Sequence, residues 1–211
     1  MSAQSEDEAP VKRVGHQVKL HRRELMAAEF EQIALDLFAS RGYGNVSVDD
    51  IADAAGVSAR TFYRYFAAKE DILALYPRRL SDFVTEALRQ ESPDQPVFAA
   101  FSSVLNKLAV AMDQEELRHW MSVTTSDPRS YRWMAVHRLD LRRDMEPLFI
   151  QRFADNPTAS LHFELAMSAG NTAFITAATM WFEHGGDFVA MVQEALDVFE
   201  RGLSHGEGPL L

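Results

Sequence analysis

Apolar residues in this chain recur at steps of three and four, and nowhere do they alternate with polar ones over a useful strand length. Such a period lines one face of a helix and is incompatible with a half-buried strand. The first stretch, from about Arg22 to Ser40, carries Leu25, Phe30, Ile33, Ala34, Leu37 and Phe38, and Gly42 with Gly44 behind it stops the helix. Further helical segments are expected at about 96–113, 115–125, 128–154, 158–184 and 187–203, separated by SDP, DNPT and HGGD. A fourth helix, opening at Lys69-Glu70-Asp71, contains Pro77, which should kink or break it. The fold class is all-α.

Composition narrows the chemistry. The 211 residues are 47% apolar, enough for one domain or two small ones. There is no cysteine, which excludes disulfides, a thiol nucleophile and thiolate metal sites. The acidic opening MSAQSEDEAP reverses the order of a secretory signal, and LAMSAGNTAFITAATMWF is too interrupted by polar residues for a membrane span. A reducing, cytoplasmic location without a membrane partner is the expectation. No Gly-rich phosphate loop, paired-His motif or nucleophile elbow occurs. His119, His137, His162 and His184 lack metal-ligand spacing. No catalytic residue, metal or cofactor is expected, and the chain does not read as an enzyme.

The net charge of −10 argues against a nucleic-acid partner until its distribution is considered. Val11 to Lys69 holds nine basic against seven acidic residues, whereas the chain from Glu70 holds 12 basic against 21 acidic. A mildly basic end on an acidic body is a local electrostatic footprint. Four regions follow: a flexible basic arm at 1–20, a small helical domain at 21–68, a larger one at 69–205, and a tail at 206–211.

The small domain contains SVDDIADAAGVSARTFYRYF. Ser47, three residues before Asp50, has the form of a helix cap, and Ile51, Ala52 and Ala55 make a short buried stripe. Gly56 suits a positive φ, and Ser58 can cap a second short helix. A short helix, a glycine turn and a second short helix make a helix-turn-helix. Val57 and Phe62 should pack inward against Ile51, Phe38 and Phe66, leaving Ser58, Arg60, Thr61, Tyr63, Arg64 and Tyr65 outside. Hydroxyls and guanidinium groups hydrogen-bond phosphates and base edges.

The block from Arg22 to Leu73 resembles the DNA-binding domain of the TetR family of bacterial transcriptional repressors and covers about a quarter of the chain. Phe38, Gly42-Tyr43, Ile51-Ala52, Ala55-Gly56-Val57-Ser58, Thr61-Phe62-Tyr63, Tyr65-Phe66 and Lys69-Glu70 fall in register. The resemblance implies Ala59, Arg60, Thr61 and Tyr63 as groove-facing. It implies Ser47, Tyr65 and Lys69 as phosphate-facing, with Arg64 serving either role and Arg60 the main base reader. It also implies a homodimer on palindromic double-stranded operator DNA, repressing until a small effector binds. The last two long helices would form the dimer bundle, with Leu161, Leu165, Phe174, Trp181, Phe188, Val192, Leu196 and Phe199 on their stripes and Gly170, Asn171, Ala173 and Ala177 allowing close approach.

The middle helices are rich in Met and aromatic residues, which suit either ordinary core or a pliable apolar pocket. Trp120, Met121, Trp133, Met134, His137 and Met167 are the expected effector lining. Arg138, Arg142 and Arg143 beside Phe149 and Phe153 resemble a branch of the family with acyl-CoA-like ligands, though they also suit pairing with Asp140, Asp144 and Glu146. The effector is therefore expected to be apolar or acyl-CoA-like. The alternative is a helical interaction module or an unrecognised enzyme that does not bind DNA.

Overall fold

The structure is a computed structural model that describes residues 8–92, 94–127, 146–147 and 159–202, with side chains from residue 21 onward. Every regular element among the described residues is helical. Of the described residues, 8–75 with 122–127 belong to one compact unit, and the others belong to a second.

In the first unit, α1 spans Glu8–Arg41, beginning inside the segment expected as an arm. Its buried face is Phe30, Glu31, Ala34, Leu35 and Phe38, the i, i+1, i+4, i+5, i+8 set of one helical face. Leu25, expected on that stripe, is 58% exposed. Five residues at roughly 100° each rotate it well away from Phe30. After α1 come a 3₁₀ turn Tyr43–Asn45, α2 (Val48–Ala54), α3 (Ala59–Tyr63) and a second 3₁₀ segment, Lys69–Ala74. Phe30 gathers Phe62 at 5.4 Å, edge to face, and Phe66 at 6.0 Å, while Phe62 and Phe66 lie 5.4 Å apart. Such aromatic pairs add about 0.5–1.5 kcal/mol each beyond area burial.

Ile72 and Leu73 are fully buried in this same unit, so the division falls after Leu75 rather than at the expected 68/69 boundary. The proline expectation is corrected here too. The 3₁₀ segment gives way to α4 (Leu75–Gln90) before Pro77 is reached. Pro77 thus occupies the first turn of α4, where a missing N–H forfeits no intrahelical bond.

The second unit contains α4 from Tyr76, α5 (Val97–Ala111), α6 (Gln114–Ser126) as far as Met121, α7 (Ala159–His184) and α8 (Phe188–Arg201). The helix expected at 128–154 lies outside the described residues apart from 146–147. Its core joins Phe101, Leu105 and Leu108 of α5 to Phe163, Ala173 and Trp181 of α7 and Phe188, Val192 and Leu196 of α8. Asp187 caps α8 by accepting from the Ala190 amide at 3.1 Å. Trp181 and Phe188 meet at 5.3 Å across the α7–α8 turn, and the Arg118 guanidinium stands 4.2 Å over the Trp181 ring. Gly170 faces the Phe101 ring so closely that a Cβ there would lie 2.6 Å from it. The small residues expected to admit a second chain therefore serve their own unit's core: Gly170, Ala173 and Ala177 are all buried within it. Trp181, Phe188, Val192 and Leu196 are buried there as well, whereas Leu161 and Leu165 are exposed.

Candidate nucleic-acid interface

The helix-turn-helix is assembled by two serine caps and one glycine turn. Ser47 Oγ accepts from the Asp50 amide at 3.1 Å, and Asp50 Oδ2 accepts from the Ser47 amide at 2.8 Å, a reciprocal capping box. The Ser47 hydroxyl also donates to Asp50 Oδ2. These bonds, aided by the charges of Arg41 and Lys69, hold the Asp50 carboxyl below its ordinary value. Arg41 Nη1 lies 3.3 Å from Asp50 Oδ1.

At the other end of α2, the Val57 amide bonds to the Ala52 carbonyl at 2.9 Å and the Gly56 amide to the Asp53 carbonyl at 3.0 Å. This nested pair is a Schellman ending, and it requires the φ of +66° that Gly56 adopts. Ser58 then caps α3, accepting from the Thr61 amide at 3.3 Å, with the two hydroxyls 3.1 Å apart.

These caps fix which side of α3 faces out. Phe62 is wholly buried, whereas Arg60 and Arg64 are exposed and Tyr63 is 56% exposed. Ala59 and Thr61 are half-buried at the margin. Val57, expected to be inward, is also half-buried. Tyr65 lies beyond α3 with its ring 5.5 Å from Phe30, and the Arg64 guanidinium sits 5.3 Å over it. The exposed surface thus holds two guanidinium groups and a phenol around one short helix.

Two expected phosphate contacts have other engagements. Ser47 spends its hydroxyl on Asp50. Lys69 turns its ammonium inward, donating to the carbonyls of Tyr43 at 2.9 Å and Val46 at 2.7 Å. The Tyr43 phenol in turn donates to Glu70 Oε1 at 2.6 Å. Sequence reading missed this linkage because its partners stand 23 to 27 residues apart and share no periodic signal.

The expected effector lining is only partly within the described residues. Trp120 is half-buried against Tyr76, ring centroids 5.3 Å apart, Met121 is buried, and Met167 packs partly buried against the core. Trp133, Met134 and His137 lie outside the described residues, as do Arg138, Arg142 and Arg143. A groove of about 660 Å³ in the second unit is lined, among the described residues, by Val97, Phe98, His162, Leu165 and Phe199, with Trp120, Met121 and Met167 not along it. Among the described residues no cluster suited to a metal occurs, and no helix is long and apolar enough to cross a membrane.

A glycine turn between two capped helices, with one apolar side anchored and one cationic side open, defines a helix-turn-helix protein. The family model for bacterial regulatory proteins of the tetR family matches residues 32–75, the stretch that holds α2 and α3. The regulator TcmR of Streptomyces glaucescens is 35% identical over 79 residues, 36% of this chain and 35% of that protein. The repressor KstR2 of Mycobacterium tuberculosis is 39% identical over 61 residues, 29% of this chain and 28% of that protein. The matched stretches span about a quarter to a half of the curated relatives' own lengths. Among solved structures, the fatty acid degradation regulator FadR from Bacillus halodurans has a TM-score of 0.56 and 20% identity, covering 85% of this chain and 96% of that one. At that identity the likeness is one of fold.

Proposed function

We propose that this chain is a ligand-responsive transcriptional regulator, a repressor that binds a palindromic operator as a homodimer and is released by a small effector. The observation that carries the reading is the sidedness of α3. Phe62 pins the helix from within, and Arg60, Tyr63 and Arg64 are left on the open face. In a major groove that face would offer Arg60 for two-bond contact with guanine, Ala59, Thr61 and Tyr63 beside it, and Arg64 or Tyr65 for the flanking backbone.

The homodimer reading is supported by α7. Leu161, Leu165, Ile175 and Met180 are 57, 58, 43 and 50% exposed. Leu161, Leu165 and Ile175 share a face with Ser168 and Thr172 between them. A row of large apolar residues at helical spacing is costly on a solvated helix and suits a second copy. For the effector, Trp120, Met121, Trp133, Met134, His137 and Met167 remain the proposed lining, and an apolar or acyl-CoA-like molecule the proposed class. The arginines of 138–143 would meet its phosphates.

Selection of duplexes from a random-sequence pool by the purified chain, followed by mobility shift, tests the reading. A two-fold symmetric consensus is expected. Recovery of no sequence-selective duplex would leave a helical interaction module or an enzyme as the better account.

A further inference from the structure

Two consecutive residues at the start of the Lys69–Ala74 segment grip one turn from both sides. The Lys69 ammonium bonds the carbonyls of Tyr43 and Val46, the residues that bracket the turn between α1 and α2. It also lies 4.4 Å from the Tyr43 ring centroid and 5.9 Å from that of Phe38. Glu70 holds the far end of the same tyrosine through its phenol. These are charge-assisted bonds in a half-buried setting, where they are stronger than neutral ones and weakly screened. Tyr43 and Val46 are themselves buried.

The turn so held leads directly into Ser47, the cap of α2. The α2–α3 geometry is fixed by the Schellman turn, so the pose of α3 relative to α1 depends on where α2 begins. Two of the ammonium's three N–H donors are committed to these carbonyls, which ties the side chain to the turn.

We propose that Lys69, with Glu70 and Tyr43, is a positioning clamp that sets the register of the helix-turn-helix for base reading, and that Lys69 does not itself neutralise a phosphate. The inference rests on the DNA-binding reading above.

The test compares the unaltered chain with Lys69→Met, Lys69→Arg and Tyr43→Phe. The DNA probes are the duplex recovered by selection and a random-sequence duplex of equal length. All binding is measured below the unfolding temperature of the weakest variant, across a salt series. Lys69→Met should lose on the order of tenfold in affinity for the selected duplex, the size of one lost base contact. Its affinity for the random duplex and its salt slope should stay unchanged. Lys69→Arg should restore most of the loss, and Tyr43→Phe should reproduce a smaller part of it. Amide hydrogen exchange of the free Lys69→Met chain should quicken at Ser47 to Asp50. A salt slope shallower by about 0.9, the signature of one lost phosphate contact, overturns the proposal. So does a fall in melting temperature with unchanged discrimination between the two duplexes. If Lys69→Met does not fold, Tyr43→Phe carries the same comparison, because it keeps the buried ring and removes one bond. Failure to select any duplex overturns the DNA-binding reading itself, and the clamp's role in reading falls with it.

Discussion

Ser47 and Asp50 each donate a backbone amide to the other's side chain, at 2.8 and 3.1 Å. Because the bonds to Asp50 favour its ionised form, its carboxyl titrates below the ordinary 3.8. A group whose folded pKa is depressed contributes stability above its unfolded value, and that stability is lost as pH falls through the folded value. The first unit should therefore weaken as pH drops below about 3.8, while this contribution stays constant through neutrality. Asp50→Asn should flatten that part of the acid limb in pH-dependent thermal melts. An unchanged acid limb would mean that the cap does not depend on the charge.

The contact between Gly170 and Phe101 gives a prediction of opposite character. Alanine at a helix-interior glycine normally stabilises by about 1 kcal/mol. Here the added Cβ would lie 2.6 Å from the Phe101 ring and 3.0 Å from Leu105 Cδ1. Overpacking a filled core costs about 1–3 kcal/mol, so the overpacking term should win. Gly170→Ala should lower the denaturant midpoint, and adding Phe101→Leu should recover part of the loss. A stabilised single variant would show that α5 and α7 can part cheaply.

Asn106 Oδ1 is shut off from solvent, and no donor among the described residues reaches it. A buried acceptor without a donor costs roughly 1–3 kcal/mol. Asn106→Leu, which keeps the branched heavy-atom skeleton without its polar atoms, should raise the melting temperature by a few degrees, about 2–4 °C per kcal/mol for a chain of this size. A fall would indicate that the amide is satisfied by something bound in the folded chain.

How far the sequence foretold these features depended on distance along the chain. Ser47 with Asp50, Ser58 with Thr61, and Gly56 after α2 are local patterns, and the structure holds each of them. The ends of α5, α6, α7 and α8 fall within a few residues of expectation because glycine, proline and aspartate mark them. The identity of buried faces was less legible. Leu25 has the composition of a core residue and the angular position of a surface one, while Gly170 and Trp181 have the composition of an interface and pack within their own unit. Lys69 shows the limit most plainly. A lysine near a helix-turn-helix reads as a phosphate ligand, and only tertiary placement of Tyr43 and Val46 turns its ammonium inward.

Arg60 should separate base reading from backbone attraction. It is exposed on α3, opposite the buried Phe62. Arg60→Ala should cost roughly 1–3 kcal/mol in affinity for the selected duplex and relax base preference at one position per half-site. Mobility shifts on single-position variants of that duplex read the effect. Uniform weakening across all variants would reassign Arg60 to the phosphates.

Leu165 tests the proposed assembly. It is 58% exposed on α7, four residues from Leu161, and also borders the groove beside Phe98 and Phe199. On a solvated face, replacing it with glutamate should change stability by no more than about 0.5 kcal/mol. Beneath a second copy the same carboxylate would lose its water without a partner, which costs several kcal/mol at an isologous interface where both copies carry it. Leu165→Glu should therefore shift the sedimentation profile from dimer to monomer at micromolar concentration while the helical circular dichroism signal persists. Operator affinity should fall with it, because a monomer engages one half-site alone. A dimer that survives the change would move the interface away from this face of α7.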